Sequence, residues 1–196
     1  MMASASPLGR VLRSSTTTFT FGSLDNPDLP AFGALVAAEA GPTWVYGLVY
    51  EVLIQDDPFV RQVVAAAGEL TAERVEDMRQ RRQVPVEITA LTIAYRQDDR
   101  VYQRLPPRPP AALQPVWACD EATTAQVLAE VTFFRTVLNA AHCPSEELLA
   151  AALRRAAACK LPEQQQAYLV NAGRELARLL ASDLPRLDAI LRRLAS

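Results

Sequence analysis

The stretch WVYGLVYEVLI, Trp44–Ile54, decides how the first half of this sequence is interpreted. It is dominated by β-branched and aromatic side chains, which are enriched in strands. A glycine inside such a strand often marks a bulge or a tight bend, so Gly47 predicts one here. The stretch VPVEITALTIAY, Val84–Tyr95, has the same character, and Pro85 indicates the start or the edge of a strand. Both stretches predict strands of one β-unit.

Shorter β-prone segments precede these two strands, and polar turns separate them. The sequence predicts strands at Arg10–Ser14, Thr16–Phe21 and Phe32–Glu39, with turns at Ser23–Pro30 (SLDNPDLP) and Ala40–Thr43 (AGPT). A small barrel lets such strands bury one face and hides their edges. We therefore expect Gly9–Ile54 and Val84–Tyr95 to form one closed or nearly closed barrel.

Two segments interrupt the β-pattern. Between the long strands, apolar residues adopt helical spacing at Val60, Val63 and Val64, which predicts a helical insertion at about 59–82. Further on, Leu105–Pro110 (LPPRPP) carries four prolines in six residues, and so dense a run cannot continue a helix or a sheet ladder. An extended connector packed on the protein is the favoured interpretation, and the alternative is an exposed ligand for SH3-type domains.

Helical periodicity dominates after Asp120. The predicted helices are Glu121–Ala141, Glu146–Cys159, Glu163–Ala181 and a last segment that begins near Leu187. Short connections between helices favour antiparallel neighbours, which indicates a bundle. The last segment carries one apolar stripe, and we expect its burial within the chain, with a modest dimer contact added. The members of the stripe are Leu187, Ile190, Leu191 and Leu194.

Together these patterns predict an α+β protein. A small Greek-key-like β-barrel with a helical insertion would occupy residues 8–118, and an antiparallel helical bundle would occupy residues 119–196.

The first half of the sequence resembles a known barrel. The residues that carry the resemblance are Gly9-Arg10-Val11, Phe32-Gly33 before a strand with an acidic end, and Gly47-Leu48-Val49. They are similar to those of the HAS barrel of HerA-type DNA translocases and of the catalytic-head subunits of rotary ATP synthases. Three further segments resemble a family of barrel proteins of cyanobacteria and related bacteria, with which no activity or ligand is associated. These segments are Asp56–Gln62, Arg79–Leu91 and Leu105–Cys119.

The resemblance implies an assembly role. In those translocases and synthases the barrel precedes a nucleotide-binding core, and it forms collars between subunits or docks a partner such as a nuclease. The phosphate loop of such a core reads GxxxxGK[ST], and this sequence contains no such run. Its single lysine, Lys160, is followed by leucine. We therefore expect no nucleotide cofactor.

Charge and cysteine content narrow the function classes. The chain has 20 basic and 22 acidic side chains, a net charge of −2, which disfavours a protein that neutralises many phosphates. No apolar run approaches the ~18 residues of a membrane span. Met1–Ser6 lacks the basic and apolar regions of a signal peptide, and the three cysteines are odd in number, so the expected compartment is the reducing cytoplasm.

No residue set in the sequence predicts catalysis or metal binding. The only histidine, His142, has no evident nucleophile, and zinc sites need three or four ligands. Adjacent carboxylates such as Asp98-Asp99 and Glu146-Glu147 fit a turn and a helix start respectively. The prediction is a protein that is not an enzyme, with no cofactor and no metal.

One arginine cluster, at Arg61, Arg79, Arg81 and Arg82, is the candidate partner-binding site. Guanidinium groups bind carboxylates or phosphates through paired hydrogen bonds. Nearby acidic residues, Glu73, Glu76 and Asp77, could instead satisfy these arginines within a solvated helix face. The predicted function is therefore an interaction scaffold that binds a protein partner or a second copy of itself. The alternative is a nucleic-acid-associated accessory factor that works with a translocase or nuclease.

Overall fold

The strands of the β-unit appear in a computed structural model that describes residues 6–23, 29–54 and 85–195. The predicted insertion at about 59–82 lies outside the described residues. The strands are β1 Gly9–Ser14, β2 Thr18–Ser23, β3 Leu35–Ala40, β4 Thr43–Leu53, β5 Val86–Gln97, β6 Arg100–Tyr102 and β7 Pro115–Ala118. The helices are α1 Glu121–Val127, α2 Phe134–Leu138, α3 Ser145–Ala158, α4 Pro162–Leu179 and α5 Leu184–Ala195.

Six strands close into an antiparallel barrel, which confirms the predicted fold class. The strand order is β2-β1-β7-β3-β4-β5, and β2 pairs with the first half of β5 to complete the ring. The short β6 extends the sheet from the second half of β5. Each of the six barrel strands pairs with a neighbour on both sides, which leaves the outer side of β6 as an unpaired edge in the described sheet.

The strand β7 was not predicted, and it completes the barrel. It follows the proline-rich connector and inserts between β1 and β3, where Gly9 pairs with Val116 and Ala37 pairs with Trp117. The connector itself packs on the protein, because Pro106 and Pro110 are buried. The hydroxyl of Ser14 donates to the carbonyl of Pro110 at 2.6 Å and ties the connector to β1.

Two apolar clusters use opposite faces of the same strands. Alternation along β3 places Val36 and Ala38 inside the barrel and Leu35 and Ala37 on its outer face. Gly47 lies at a register shift in β4, as its position in the sequence predicted. The interior cluster contains Val11, Phe19, Phe21, Val45, Val49, Ile88, Ala90 and Val116. The outer cluster combines strand residues with the buried faces of the helices. The barrel and the helices therefore share apolar contacts, although the sequence predicted a boundary between them after residue 118.

The predicted helix Glu121–Ala141 is wrong, because the chain forms two short helices, α1 and α2, instead. Side chains from distant segments stabilise the interruption. The Gln103 amide nitrogen donates to the carbonyls of Val127 and Glu130, each at 2.8 Å, and its oxygen accepts from the Phe133 N–H at 3.0 Å. The Tyr168 hydroxyl donates to the Leu128 carbonyl at 2.9 Å, and burial raises the pKa of Tyr168.

The last three helices follow the predicted order, with ends that differ by a few residues. On α5, Ile190 is fully buried, and Leu187 and Leu194 pack against the outer cluster. Leu191 remains 41% exposed. The apolar stripe of α5 is therefore largely part of the core of this chain, and Leu191 is the member left at the surface. None of the described helices is long and apolar enough to span a membrane.

An arginine on α5 connects three helices. This arginine is Arg186, and its guanidinium donates to the Glu146 carboxylate at 2.6 Å, to the Leu138 carbonyl at 2.9 Å and to the Ser145 hydroxyl at 2.7 Å. Burial raises the pKa of Glu146. The N–H of Glu146 itself and the Arg186 guanidinium outweigh that effect, so the pKa lies below its ordinary value.

We expect Arg186→Met to lower the free energy of unfolding by about 1 kcal/mol at neutral pH, because this ion pair is only partly buried. The lowered pKa of Glu146 means that the pair contributes above the ordinary glutamate pKa and that its contribution is lost as pH falls through the folded-state pKa. The difference from wild type, measured by urea denaturation, should shrink in acid. Arg192→Met, which breaks an exposed pair with Asp188, should cost much less at either pH.

Candidate interaction sites

The arginine cluster predicted from the sequence lies outside the described residues, since Arg61, Arg79, Arg81 and Arg82 all fall within 55–84. Two other surfaces stand out in the part of the chain that the structure describes. One is a cleft at the end of the barrel where β5 begins. The other is an arginine and tyrosine cluster where β5 ends. The two surfaces share no described residue.

The cleft lies between the barrel and the helices and has a volume of about 1020 Å³. Its apolar lining comes from both parts of the fold. Among the described residues, that lining includes Leu8, Leu12, Pro30, Ala31, Ala34 and Pro85. Among the described lining residues, the charged ones are Arg10, Glu121 and Arg155. Small-molecule pockets usually occupy roughly 300–1,000 Å³, so this cleft also has room for a short segment of protein chain.

Of the described charged side chains in the cleft, Arg155 and Glu121 are available for a ligand, and Arg10 is partly engaged within the fold. Arg10 donates to the Leu113 carbonyl at 3.0 Å, so part of its hydrogen-bonding capacity is used within the fold. Arg155 is exposed on α3, and its side chain makes no hydrogen bond or ion pair within the described residues. Glu121 lies in the first turn of α1, where a negative charge is favourable. The cleft thus combines an apolar lining with a charged rim, as protein interfaces do.

The thiols of the cleft are not activated. Burial raises the pKa of Cys119 to about 12, and the nearby Asp120 carboxylate acts in the same direction. Burial also raises the pKa of Cys159, assisted by Glu121 and opposed by Arg155. Because the thiolate is the nucleophile and the metal ligand, both cysteines are poor nucleophiles at neutral pH.

The second surface, here called the Arg–Tyr cluster, consists of Tyr95, Arg100, Tyr102 and Arg104. Tyr95 and Tyr102 face each other across the β5–β6 pair, and their rings stack with centroids 5.2 Å apart. Arg104 donates from Nε and Nη2 to the Tyr95 hydroxyl at 3.2 and 3.0 Å. The same guanidinium lies 4.9 Å from the centre of the Tyr102 ring, and that of Arg100 lies 5.9 Å from it.

The turn between β5 and β6 sets this geometry. Asp98 and Asp99 both have positive φ angles, 48° and 61°, a conformation that aspartate tolerates better than most residues. The predicted turn at Asp98-Asp99 is therefore correct. The cluster was not predicted from the sequence, although Arg100, Tyr102 and Arg104 alternate with a period of two. In an extended chain that spacing places three side chains on one face. Here β6 ends at Tyr102, and the Arg104 N–H turns back to donate to the Tyr102 carbonyl at 2.9 Å.

The remaining candidates from the sequence lie apart from both surfaces. His142 is exposed in the turn after α2, and the neighbouring Cys143 thiol donates to the Ala140 carbonyl at 3.7 Å. Glu146 and Glu147 occupy the first turn of α3, as predicted. Within the described ranges, no three histidine, cysteine, aspartate or glutamate side chains gather in a way that could hold a metal ion.

Comparisons with known proteins provide no family. No family model matches the chain, and no curated protein matches it either. The geometry of the two surfaces is therefore the basis for assigning a function.

Proposed function

We propose that this chain is a non-catalytic interaction scaffold whose cleft binds a segment of a partner protein. The observation that carries the proposal is the cleft of about 1020 Å³ between barrel and helices, with its apolar lining and charged rim. The two cleft arginines and one glutamate favour a partner segment that presents both apolar side chains and carboxylates.

Two features of the fold support a binding role. Each of the six barrel strands pairs on both sides, and the remaining edge in the described sheet belongs to the three-residue β6, so the cleft is the larger surface for a partner segment. The cleft thiols have raised pKa values, which makes them poor nucleophiles.

The proposal extends to family and compartment. A closed six-stranded barrel is the fold that the resemblance to HAS barrels implies, and assignment to that group is part of the proposal. So are a cytoplasmic location, the absence of a cofactor and a self-associating form in which Leu191 contributes to a modest dimer contact. A nucleic-acid-associated role is the less favoured alternative, because the net charge of −2 opposes binding to a polyanion.

A charge reversal in the cleft tests the proposal. We expect Arg155→Glu to reduce by roughly tenfold the amount of partner protein that the purified chain retains from native lysate, because a charge reversal at an interface repels a complementary carboxylate. The matched control is Arg174→Glu, an exposed helical arginine of α4 outside the lining of the cleft. Retained proteins would be quantified by mass spectrometry.

The comparison between these two variants decides the result. A protein retained by wild type and by Arg174→Glu, but lost with Arg155→Glu, supports the cleft as the binding site. Equal retention by all three proteins would contradict it. Thermal melts check that both variants fold, since reversing a charge in the last turn of α3 should cost only a few tenths of a kcal/mol.

A further inference from the structure

Arg104 is held in place before any ligand arrives. Two hydrogen bonds to the Tyr95 hydroxyl, at 3.2 and 3.0 Å, use the edge of the guanidinium formed by Nε and Nη2. The Tyr102 ring, 4.9 Å away, supports the same group through a cation–π contact. Nη1 donates to no described group, and the side chain as a whole is exposed. The arginine is therefore positioned while part of its donor capacity remains available.

Arg100 adds a second positive charge beside it. Its guanidinium carbon lies 5.9 Å from the centre of the Tyr102 ring, and the side chain is exposed. Neither Arg100 nor Arg104 forms an ion pair with a carboxylate in the part of the chain that the structure describes. By contrast, Arg13, Arg178 and Arg186 each pair with a glutamate. The held guanidinium of Arg104 and the neighbouring one of Arg100 thus have no acidic partner among the described residues.

We propose that the Arg–Tyr cluster is a second recognition site, which binds an acidic segment of a protein through its carboxylates. Ordered guanidinium groups recognise carboxylates through charge-assisted hydrogen bonds. Ordering Arg104 in advance reduces the conformational entropy lost on binding. The inference goes beyond the cleft and stands on a separate surface, because none of the four cluster residues belongs to the described lining of the cleft.

The same geometry disfavours nucleic acid as the ligand. Single strands bind largely by stacking bases on open aromatic faces. Here the two tyrosine rings stack on each other, and both arginines lie over Tyr102. An acidic peptide needs no open aromatic face, because its carboxylates can meet the guanidinium groups directly.

The test uses a fluorescein-labelled peptide of eight glutamates, with fluorescence anisotropy at low salt. We expect the full chain to bind it and Arg100→Gln/Arg104→Gln to lose affinity by about tenfold, because two charge-assisted contacts disappear. The matched control is Arg174→Gln/Arg192→Gln, which removes the same charge from exposed helix positions. The single variant Arg100→Gln keeps both hydrogen bonds to Tyr95 and should lose about threefold.

Several results would overturn the inference. One is failure of the wild-type chain to bind the peptide, and another is a control double variant that loses as much peptide affinity as Arg100→Gln/Arg104→Gln. A folded Arg100→Gln variant that binds the peptide as tightly as wild type would also contradict it. A labelled oligothymidine that binds more tightly than the peptide, and is lost in the same double variant, would assign the cluster to nucleic acid instead.

The cleft variant separates this inference from the proposed function. Arg155→Glu should bind the glutamate peptide as wild type does. Peptide binding that disappears with Arg155→Glu but survives Arg100→Gln/Arg104→Gln would assign acidic segments to the cleft, which overturns the second site and leaves the proposed function standing.

Discussion

Gly33→Ala is expected to lower the free energy of unfolding by about 3 kcal/mol, because two independent costs meet at this position. Gly33 has a φ angle of +76°, which costs a residue with a side chain roughly 1–2 kcal/mol. A Cβ atom there would also lie 2.6 Å from the Ala151 Cβ and 3.3 Å from the Ala151 carbonyl carbon on α3. The turn before β3 therefore touches the helix directly, and urea denaturation would measure the loss.

Two further variants separate the costs. Gly41 has a comparable φ angle of +66°, and no described atom would lie within 4 Å of an added Cβ. Gly41→Ala should therefore lower the free energy of unfolding by only about 1 kcal/mol. Ala151→Gly removes the colliding methyl group and should partly rescue Gly33→Ala in a double-mutant cycle. If Gly33→Ala costs no more than Gly41→Ala, α3 does not press on this turn, and the contact between barrel and helices is looser than the structure indicates.

The same contact explains part of what the sequence could predict. Gly33 was noted as part of a family resemblance, and Gly47 as the site of a bulge. The structure gives both residues a steric reason, since a Cβ at Gly47 would lie 2.7 Å from the Phe19 ring and 2.9 Å from the Ala90 Cβ. Strands such as β4 and β5 were predictable because their composition and length are local properties.

Elements determined by distant partners could not be predicted in this way. The four residues of β7 carry no strong local pattern, and they become a strand because β1 and β3 leave a gap that their hydrogen bonds fill. Only the closed ring of strands reveals that gap. The break between α1 and α2 is similar, because Gln103 and Tyr168 supply its hydrogen bonds from 24 to 40 residues away. A periodic apolar pattern continues through such a break without any sign of it.

The two candidate sites differ in the same respect. The alternation of Arg100, Tyr102 and Arg104 is visible in the sequence and could have indicated one face of a strand. The contacts of Tyr102 and Arg104 with Tyr95 depend on the register of the β5–β6 pair, which only the structure provides. The cleft has walls from separate strands and helices, so no local pattern could have indicated it.

Gln103→Leu is expected to lower the free energy of unfolding by about 3 kcal/mol, because the Gln103 side chain satisfies three main-chain groups. Leucine leaves the carbonyls of Val127 and Glu130 and the N–H of Phe133 without this partner. Gln165→Leu is the matched control, since that amide makes one described hydrogen bond, to the Lys160 carbonyl at 3.1 Å. It should cost about 1 kcal/mol or less by urea denaturation.

A carboxylate at the same position tests the direction of each bond. In Gln103→Glu the new side chain still accepts from the Phe133 N–H, but at neutral pH it places a charged oxygen against two carbonyl oxygens. Protonation in acid returns one O–H donor, so the deficit relative to wild type should be widest near pH 7 and should narrow as pH falls through the range where that carboxyl titrates. Equal losses for Gln103→Leu and Gln165→Leu, with no pH dependence for Gln103→Glu, would mean that residues 128–133 break the helix by themselves. The Gln103 side chain would then follow the break rather than stabilise it.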